Sequence, residues 1–478
     1  MFGSSTTEKD PKGSATGNDG SGSLFMDKKA GELLEIDLEQ LSNQGTSGQG
    51  SQSPSEAEAP NTLKQSLKSR QIQLIAIGGV IGTGLFVGTS STLHLCGPAP
   101  LFISYVVMSS VIYPIVGAIG EMVCYLPGDG HDSAGSMSHL VNRYVDPSLS
   151  FAVGWNYFYC FAILIAAECS AASGIVTYWT TSVPTGAWIT IFLGVIVILN
   201  SCAVKFFGET EFWFAIIKVL TIIGLIILSF ILFWGGGPNH DRLGFRYWKH
   251  PGAFAHHITG GSLGNFLDIY TAIIKGGFAF ILGPELIAMT SSECQDQRRN
   301  IARASSRFVW RLVFFYILGA LSISVIVAYN DPVLSNALAE GKAGAASSPF
   351  VIGIINAGIK VLPHIINACI LTSAWSAGNA YMFAASRSLL TLATNGQAPR
   401  ICARINRFGV PYVAIFITFL ISCLAYLNVS SSTADVFNWF VNITTISGFI
   451  GWICGLVAYI RFRKAIDFNG LLERLPYK

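Results

Sequence analysis

Among the ionisable side chains inside long apolar runs of this sequence are Glu121 in "IGEM", Glu168 in "AAECSAAS", Lys218 in "FAIIKVL" and Glu285 in "GPELIAM". Burying a charge there is costly, so such groups pair with one another, hold a proton or line the route of an ion. Glycines form a second chemical group. "LIAIGGVIGTGLFVGTSS", from Leu74 to Ser91, carries Gly78, Gly79, Gly82, Gly84 and Gly88 in one apolar stretch. A glycine loop that cradles a dinucleotide needs a strand before it, a helix after it and an acidic residue about 20 positions on. Here the flanks are one continuous apolar run, the next acidic residue is Glu121 in the following run, and Gly82, Gly84 and Gly88 miss G-x-G-x-x-G. A helix broken at mid-membrane fits better: Gly79, Gly82 and Gly84 weaken it and let a ligand approach the backbone. The alternative is a packing face of small residues. Spacing by four suits Gly78 and Gly82 to that role but leaves Gly79 and Gly84 over.

A second weak point lies in "IIKGGFAFILGPELIAM", Ile273 to Met289, where Gly283-Pro284 removes an amide donor and invites unwinding. The elements that carry these points are apolar runs of about twenty residues, long enough to cross a ~30 Å hydrocarbon core as helices. Ten follow Gln71, near 71–97, 100–126, 148–178, 185–203, 211–234, 265–290, 307–329, 361–387, 410–428 and 434–460. They exceed barrel strands in length and lack period-two alternation, so helices must satisfy their backbone. The two weak points fall in the first and sixth runs, the same place in two successive groups of five. That is the pattern of an inverted-repeat transporter with a midplane site. The repeat is inferred from positions, since the halves show no direct sequence similarity.

Composition agrees. The chain is 51% hydrophobic and 12% charged, against about 25% charged in soluble domains. A net charge of +3 without a basic, aromatic-interleaved patch speaks against nucleic acid. The ten cysteines include no C-x-x-C pair and read as small buried hydrophobes. If both termini are cytoplasmic, the inner flanks hold sixteen Lys and Arg and the outer loops five, Arg242, Arg246, Lys249, Lys342 and Lys360. Residues 1–63 are polar, lack a signal-peptide core and read as a disordered cytoplasmic tail. Within it, Gly31–Leu41 is an acidic amphipathic patch, and Lys9, Lys12, Lys28 and Lys29 are open to modification such as ubiquitin attachment. Residues 64–464 form the expected core of ten transmembrane helices, and 465–478 a short cytoplasmic segment.

The stretches "GGVIGTGLFVG", "IGEMVCYLP", "FAVGWNYFY", "FGETEFWFAIIKV", "GPELIAM", "AASSPFVIGIINAGIKVLPHIINACILTSAWSAGN" and "GQAPRICARINRFGVPY" resemble fungal plasma-membrane amino-acid permeases, members of the amino acid–polyamine–organocation superfamily. The resemblance runs in consistent order from Lys64 to Lys464. It implies an all-α polytopic membrane protein with a LeuT-type 5+5 inverted-repeat core, broken helices 1 and 6, and proton-coupled import of L-amino acids. Members carry two further helices after the tenth, which places "FNGLLERLPYK" at the linker to the eleventh. Lys275 departs from the polar or small residue expected there.

The resemblance gives the two chemical groups their roles. Amides near Thr83, Gly84 and Leu85 would bind a substrate carboxylate at a helix N-terminus. Carbonyls from Gly79 to Ile81, around Gly82, would accept from its ammonium, and the sixth-run break from Phe280 to Gly283 would supply more. An aromatic on the sixth run covers the substrate in the family; Phe278 and Phe280 both qualify. Lys218 would gain and lose the coupling proton, although it could also snorkel or pair with Glu211. Ser373 and Ser376 on the eighth run could face it. Glu285 matches the family's sixth-run glutamate, with a proton-linked or gate-bracing role. Glu168 lies mid-run and Glu121 near an inner end, where it could reach interfacial water. Lys275 would either read an acidic substrate or snorkel outward.

The other chemistry is thinner. His256 and His257 lack a third metal ligand at useful spacing, and Asn428-Val429-Ser430 is a glycosylation sequon close to the membrane. No catalytic Ser/His/Asp arrangement or ATP loop is present in the sequence, and no cofactor is expected. The competing reading is a permease-like sensor that binds an amino acid without net transport.

Overall fold

The first apolar run does not form one helix. In the computed structural model, α1 (Ser69–Val80) ends inside the glycine run and Ile81 and Gly82 bend. Gly84–Gly88 then turn as a π-helix, and α2 (Thr89–Cys96) completes the run. The structure describes residues 67, 69–126, 136–202, 204–281, 283–291, 293–294, 296–339, 348–406, 408–429 and 433–475. The tail calls, 1–63 with its acidic patch and its lysines, lie outside these residues.

Gly97 ends α2 at φ 94°, a conformation that costs glycine little. Pro98 opens α3 (Pro98–Tyr125) at a position where its missing N–H goes unmissed. After α4 (Met137–Tyr144), Asp146 caps α5 (Pro147–Val176) by accepting from Ser148 N at 2.7 Å and Leu149 N at 3.4 Å. Then come α6 (Thr185–Ser201), α7 (Val204–Phe233) and the short α8 (Arg246–Lys249). The sixth run is interrupted as well. α9 (Gly261–Gly277) gives way to turns at Phe278–Ile281, and α10 starts at Gly283 and ends at Ser291. Pro284 sits in the first turn of α10, where no intrahelical donor is needed. The remaining helices are α11 (Gln297–Ile326), α12 (Pro332–Ala339), α13 (Pro349–Asn356), α14 (Leu362–Thr394), α15 (Tyr412–Ser422) and α16 (Thr433–Phe468).

Six described helical stretches are long and apolar enough to cross a membrane: Pro98–Tyr125, Pro147–Val176, Val204–Phe233, Gln297–Ile326, Tyr412–Val429 and Asp435–Phe468. Several helices outrun their apolar runs. α7 starts at Val204 rather than 211, α11 at Gln297 rather than 307, and α14 continues to Thr394. Hydropathy marks only the apolar part of each helix, whereas the backbone ladder continues into charged ends, Lys205 and Glu209 in α7 and Arg298, Arg299 and Arg303 in α11. The ninth run instead tightens into a 3-10 helix over Cys423–Val429.

Most of the described chain belongs to one compact unit, Glu56–Arg461 with Arg474–Lys478. The end of α16 and the turn after it, Phe462–Glu473, belong to a second unit. In the first unit, α5 and α14 lie along each other. A Cβ on Gly154 would lie 2.5 Å from Leu392 Cδ2, so any larger residue there would force Leu392 to shift. Phe207 of α7 stacks on Phe383 of α14 with centroids 4.4 Å apart. α3 packs along α11, where Tyr105 and Tyr316 meet edge to face. These two pairings bracket the interrupted runs.

Candidate functional site

At the α1 interruption, carbonyl oxygens that would continue a helix are taken up by side chains of other helices. Gly78 O accepts from Lys218 Nζ of α7. Gly79 O accepts from Tyr381 Oη of α14 at 2.9 Å, and Ile81 O from Ser373 Oγ of α14 at 2.9 Å. Within the π-turn, Phe86 O accepts from Ser348 Oγ, which precedes α13, at 2.8 Å. Buried backbone groups must find partners, and here α7, α14 and the start of α13 supply them.

The amide side of the interruption faces a carboxylate. Thr83 N donates to Glu168 Oε1 of α5 at 3.4 Å, and both residues are buried. Among the described residues, Thr83 Oγ1, Glu168 Oε2 and Ser170 Oγ are buried with no hydrogen-bond partner. Glycine makes this proximity possible. A Cβ on Gly82 would lie 2.7 Å from Glu168 Oε1 and 3.2 Å from Ala377 Cβ, and one on Gly84 would lie 3.0 Å from Ala279 Cα. The two interruptions therefore touch, Gly84 of the first against Ala279 of the second.

The two candidate aromatics differ in surroundings. Phe280 is fully buried, 5.4 Å from Tyr105 and 4.7 Å from Tyr316 between ring centroids. Tyr316 Oη donates to Ala279 O at 2.8 Å, taking up a carbonyl of the second interruption. Phe278 instead lies against the first interruption, its Cδ1 3.3 Å from a Cβ built on Gly84 and 3.5 Å from one on Gly88. Its ring also meets Phe437 edge to face at 6.0 Å.

The ionisable groups separate into distinct settings. Lys218 and Glu211, both on α7, are buried. Glu211 Oε2 accepts from Ser376 Oγ at 2.7 Å and Oε1 from Asn379 Nδ2 at 2.6 Å. Ser376 thus lies on Glu211, while Ser373 lies on the α1 interruption. Glu285 Oε1 accepts from Tyr157 Oη at 3.0 Å, joining α10 to α5. Glu121 Oε2 accepts from Tyr459 Oη at 2.7 Å, joining α3 to α16. Lys275 is half-buried and reaches Ser91 Oγ of α2 at 3.3 Å. Asn428 is buried with its Nδ2 on Ser173 Oγ at 3.0 Å, so its amide is spoken for. His256 N donates to Asp268 Oδ2 at 2.9 Å. Among the described residues, no three or more His, Cys, Asp or Glu gather as a metal site.

Sequence reasoning passed over Tyr381, Asn379 and Tyr157, and gave Glu211 only the part of a pairing partner. Ser373, Ser376 and Asn379 recur every third residue along α14, a polar stripe that one helical face can carry. That stripe was the available signal for Asn379. Tyr381 and Tyr157 had none, because a tyrosine in an apolar run usually only packs.

A family model described as amino acid permease matches residues 71–478. The chain is 76% identical over 419 residues to the proline-specific permease of Saccharomyces cerevisiae, covering 88% of this chain and 67% of that protein. It is 54% identical over 423 residues to the proline-specific permease of Emericella nidulans, covering 88% and 76%. Among solved structures, MhsT in complex with L-phenylalanine matches with a TM-score of 0.54 at 14% identity, over 84% of this chain and 99% of that one. That likeness concerns the fold, an all-α membrane transporter.

Proposed function

Because the chain belongs to the amino acid permease family, we propose that it imports an L-amino acid, proline foremost, by alternating access driven by a proton gradient. Both relatives described above are named for proline. The reading rests on one observation: a carboxylate, Glu168, on the free amide of Thr83 where α1 is interrupted.

The amides following the break and the positive end of the next helical segment suit a substrate carboxylate. Glu168 already occupies part of that position. Two carboxylates sharing one buried amide repel strongly. Arrival of the substrate therefore requires Glu168 to take a proton or swing away, and the first of these links proton to cargo. The substrate's ammonium has the carbonyls of Gly79 and Ile81 to accept its protons, in exchange for the hydroxyls of Tyr381 and Ser373. A proline ammonium has two N–H donors, which those two carbonyls match. Phe278, beside Gly84 and Gly88, is the aromatic placed to cover a pyrrolidine ring, while Phe280 belongs to the packed aromatic cluster.

In this reading Lys218 holds α1 through Gly78 O and carries the coupling proton, and Glu285 and Glu121 brace α10 and α3 through their tyrosines. Ten crossings in two groups of five, with both termini in the cytoplasm of a plasma-membrane protein, complete the reading. Gly79, residues 81–84, Phe278 and Phe280, around the proposed substrate position, are buried, which suits a conformation closed to both sides.

Labelled proline taken into liposomes holding the purified protein should exceed equilibrium under an inward proton gradient. Uptake that stops at equilibrium would remove proton coupling and leave a carrier. Binding without flux would make the protein a sensor. A competition panel of all the amino acids in the same assay should show proline as the strongest competitor. K218A should lose concentrative uptake but retain exchange of labelled for unlabelled proline.

A further inference from the structure

Glu211 is a buried carboxylate that the transport scheme above leaves unused. It lies seven residues before Lys218 on α7, nearly two turns and so on the same face. Both reach the same residue of α1. Lys218 Nζ donates to Gly78 O, and Glu211 Oε2 lies 3.9 Å from a Cβ built on Gly78.

The two oxygens of Glu211 are not equivalent. Oε1 accepts from Asn379 Nδ2, and the orientation of that amide is fixed from its other side. Asn200 Nδ2 donates to Asn379 Oδ1 at 2.7 Å, so the NH2 group must face Glu211. An amide nitrogen cannot accept, so Oε1 is confined to accepting. Oε2 faces Ser376 Oγ at 2.7 Å, and a hydroxyl can turn and accept instead. Only Oε2 can carry a proton without breaking the network, and it is the oxygen nearest α1.

We propose that Glu211 Oε2 is the inward acceptor of the coupling proton released by Lys218. The assignment rests on the reading of Lys218 as the proton carrier. In the step, a water entering between the two groups relays the proton: one N–H bond of the Lys218 ammonium breaks with its electron pair left on nitrogen, the water takes that proton and gives up another, and an O–H bond forms at Oε2. A neutral amine and a neutral carboxylic acid result, and Ser376 Oγ turns to accept from the acid. The lysine's hold on Gly78 O then loses its charge, and the inner half of α1 is freed from α7. The acid afterwards yields its proton to water on the inner side.

The groups around this pair are few. Glu168 on α5 acts on Lys218 together with Glu211, and Lys218 is the charge acting on Glu211. From the packed helices Gly78 of α1, Ser376 and Asn379 of α14 and, behind Asn379, Asn200 of α6 face it, all uncharged. The neighbouring Gln71 of α1 and Glu209 of α7 bond to each other at 2.9 Å.

The test uses the full chain in liposomes. E211Q keeps a carbonyl toward Asn379 and a donor toward Ser376, so the network can persist while the acceptor is lost. Expected are a proline accumulation ratio lowered about ten-fold, within the range of site-to-site coupling, and continued proline exchange. S376A leaves Glu211 in place but removes the hydroxyl that hydrogen-bonds to both its ionised and its protonated form, and should shift the pH midpoint of uptake. Wild-type accumulation by E211Q, or an unmoved midpoint in S376A, overturns the assignment while the coupling reading stands. Failure of the unsubstituted protein to accumulate proline overturns both.

Discussion

Gly82 and Phe278 show how single residues set this site. Only a hydrogen at Gly82 leaves Glu168 room to reach Thr83 N, since a Cβ would lie 2.7 Å from its Oε1. G82A is expected to push Glu168 off that amide and lower the rate of proline uptake by roughly ten- to a hundred-fold, the scale set by small misplacements of binding groups. Cell-surface amount measured beside uptake separates this from loss of protein. Phe278 and Phe280 should part company in the same way. F278A is expected to raise the KM for proline by about ten-fold, or about 1.4 kcal/mol of binding, with folding intact. F280A empties the cluster around Tyr105 and Tyr316 and should cost about 3–5 kcal/mol of stability, read as a lowered melting temperature in detergent. The sequence offered both aromatics in one short stretch; their two-residue separation across irregular backbone hides which one turns toward α1.

At the level of elements, helix ends follow local chemistry that sequence makes visible. α1 stops within the glycine run and α10 starts at Gly283-Pro284, because glycine loosens a helix and proline tolerates only its first turn. What joins the elements was less visible. Arg387 Nε of α14 meets Glu293 Oε1, in the connection after α10, at 3.0 Å. Its guanidinium lies 3.9 Å from the centre of the Phe383 ring. Arg387 is one of the sixteen inner-flank Lys and Arg, and nothing in hydropathy pairs it with a residue so far away in sequence. E293Q would leave a buried guanidinium without its counter-charge and should cost about 3 kcal/mol or more. Thermal denaturation checks this, and the double variant E293Q/R387M should recover part of the loss. The stripe Ser373, Ser376 and Asn379 could be seen in the sequence, but its three partners, Ile81 O and the two oxygens of Glu211, could not. A polar stripe says that a helix face seeks partners and says nothing of which helix provides them.

For the whole molecule, composition alone indicated the solvent. A chain this long with 12% charged residues has too little polar surface for water, and its long apolar helices carry exposed Phe206, Trp213, Leu220 and Phe230 along α7. The asymmetry of lysine and arginine predicts the sidedness. Tags placed at each terminus should be protected from protease in intact cells and cleaved after permeabilisation; cleavage in intact cells would reverse the orientation. The exact limits of the crossings were legible only within several residues, because helices continue past the lipid into polar turns.

The carbonyl oxygens of Gly78, Gly79 and Ile81 are each held by a side chain from another helix rather than by their own. Those bonds are reversible attachments: water or a passing ammonium can take each oxygen in turn, with no backbone dipole stranded meanwhile. The inner half of α1 can thus be unfastened one clasp at a time, which makes it the segment whose amide deuterium exchange should quicken most when proline is washed away.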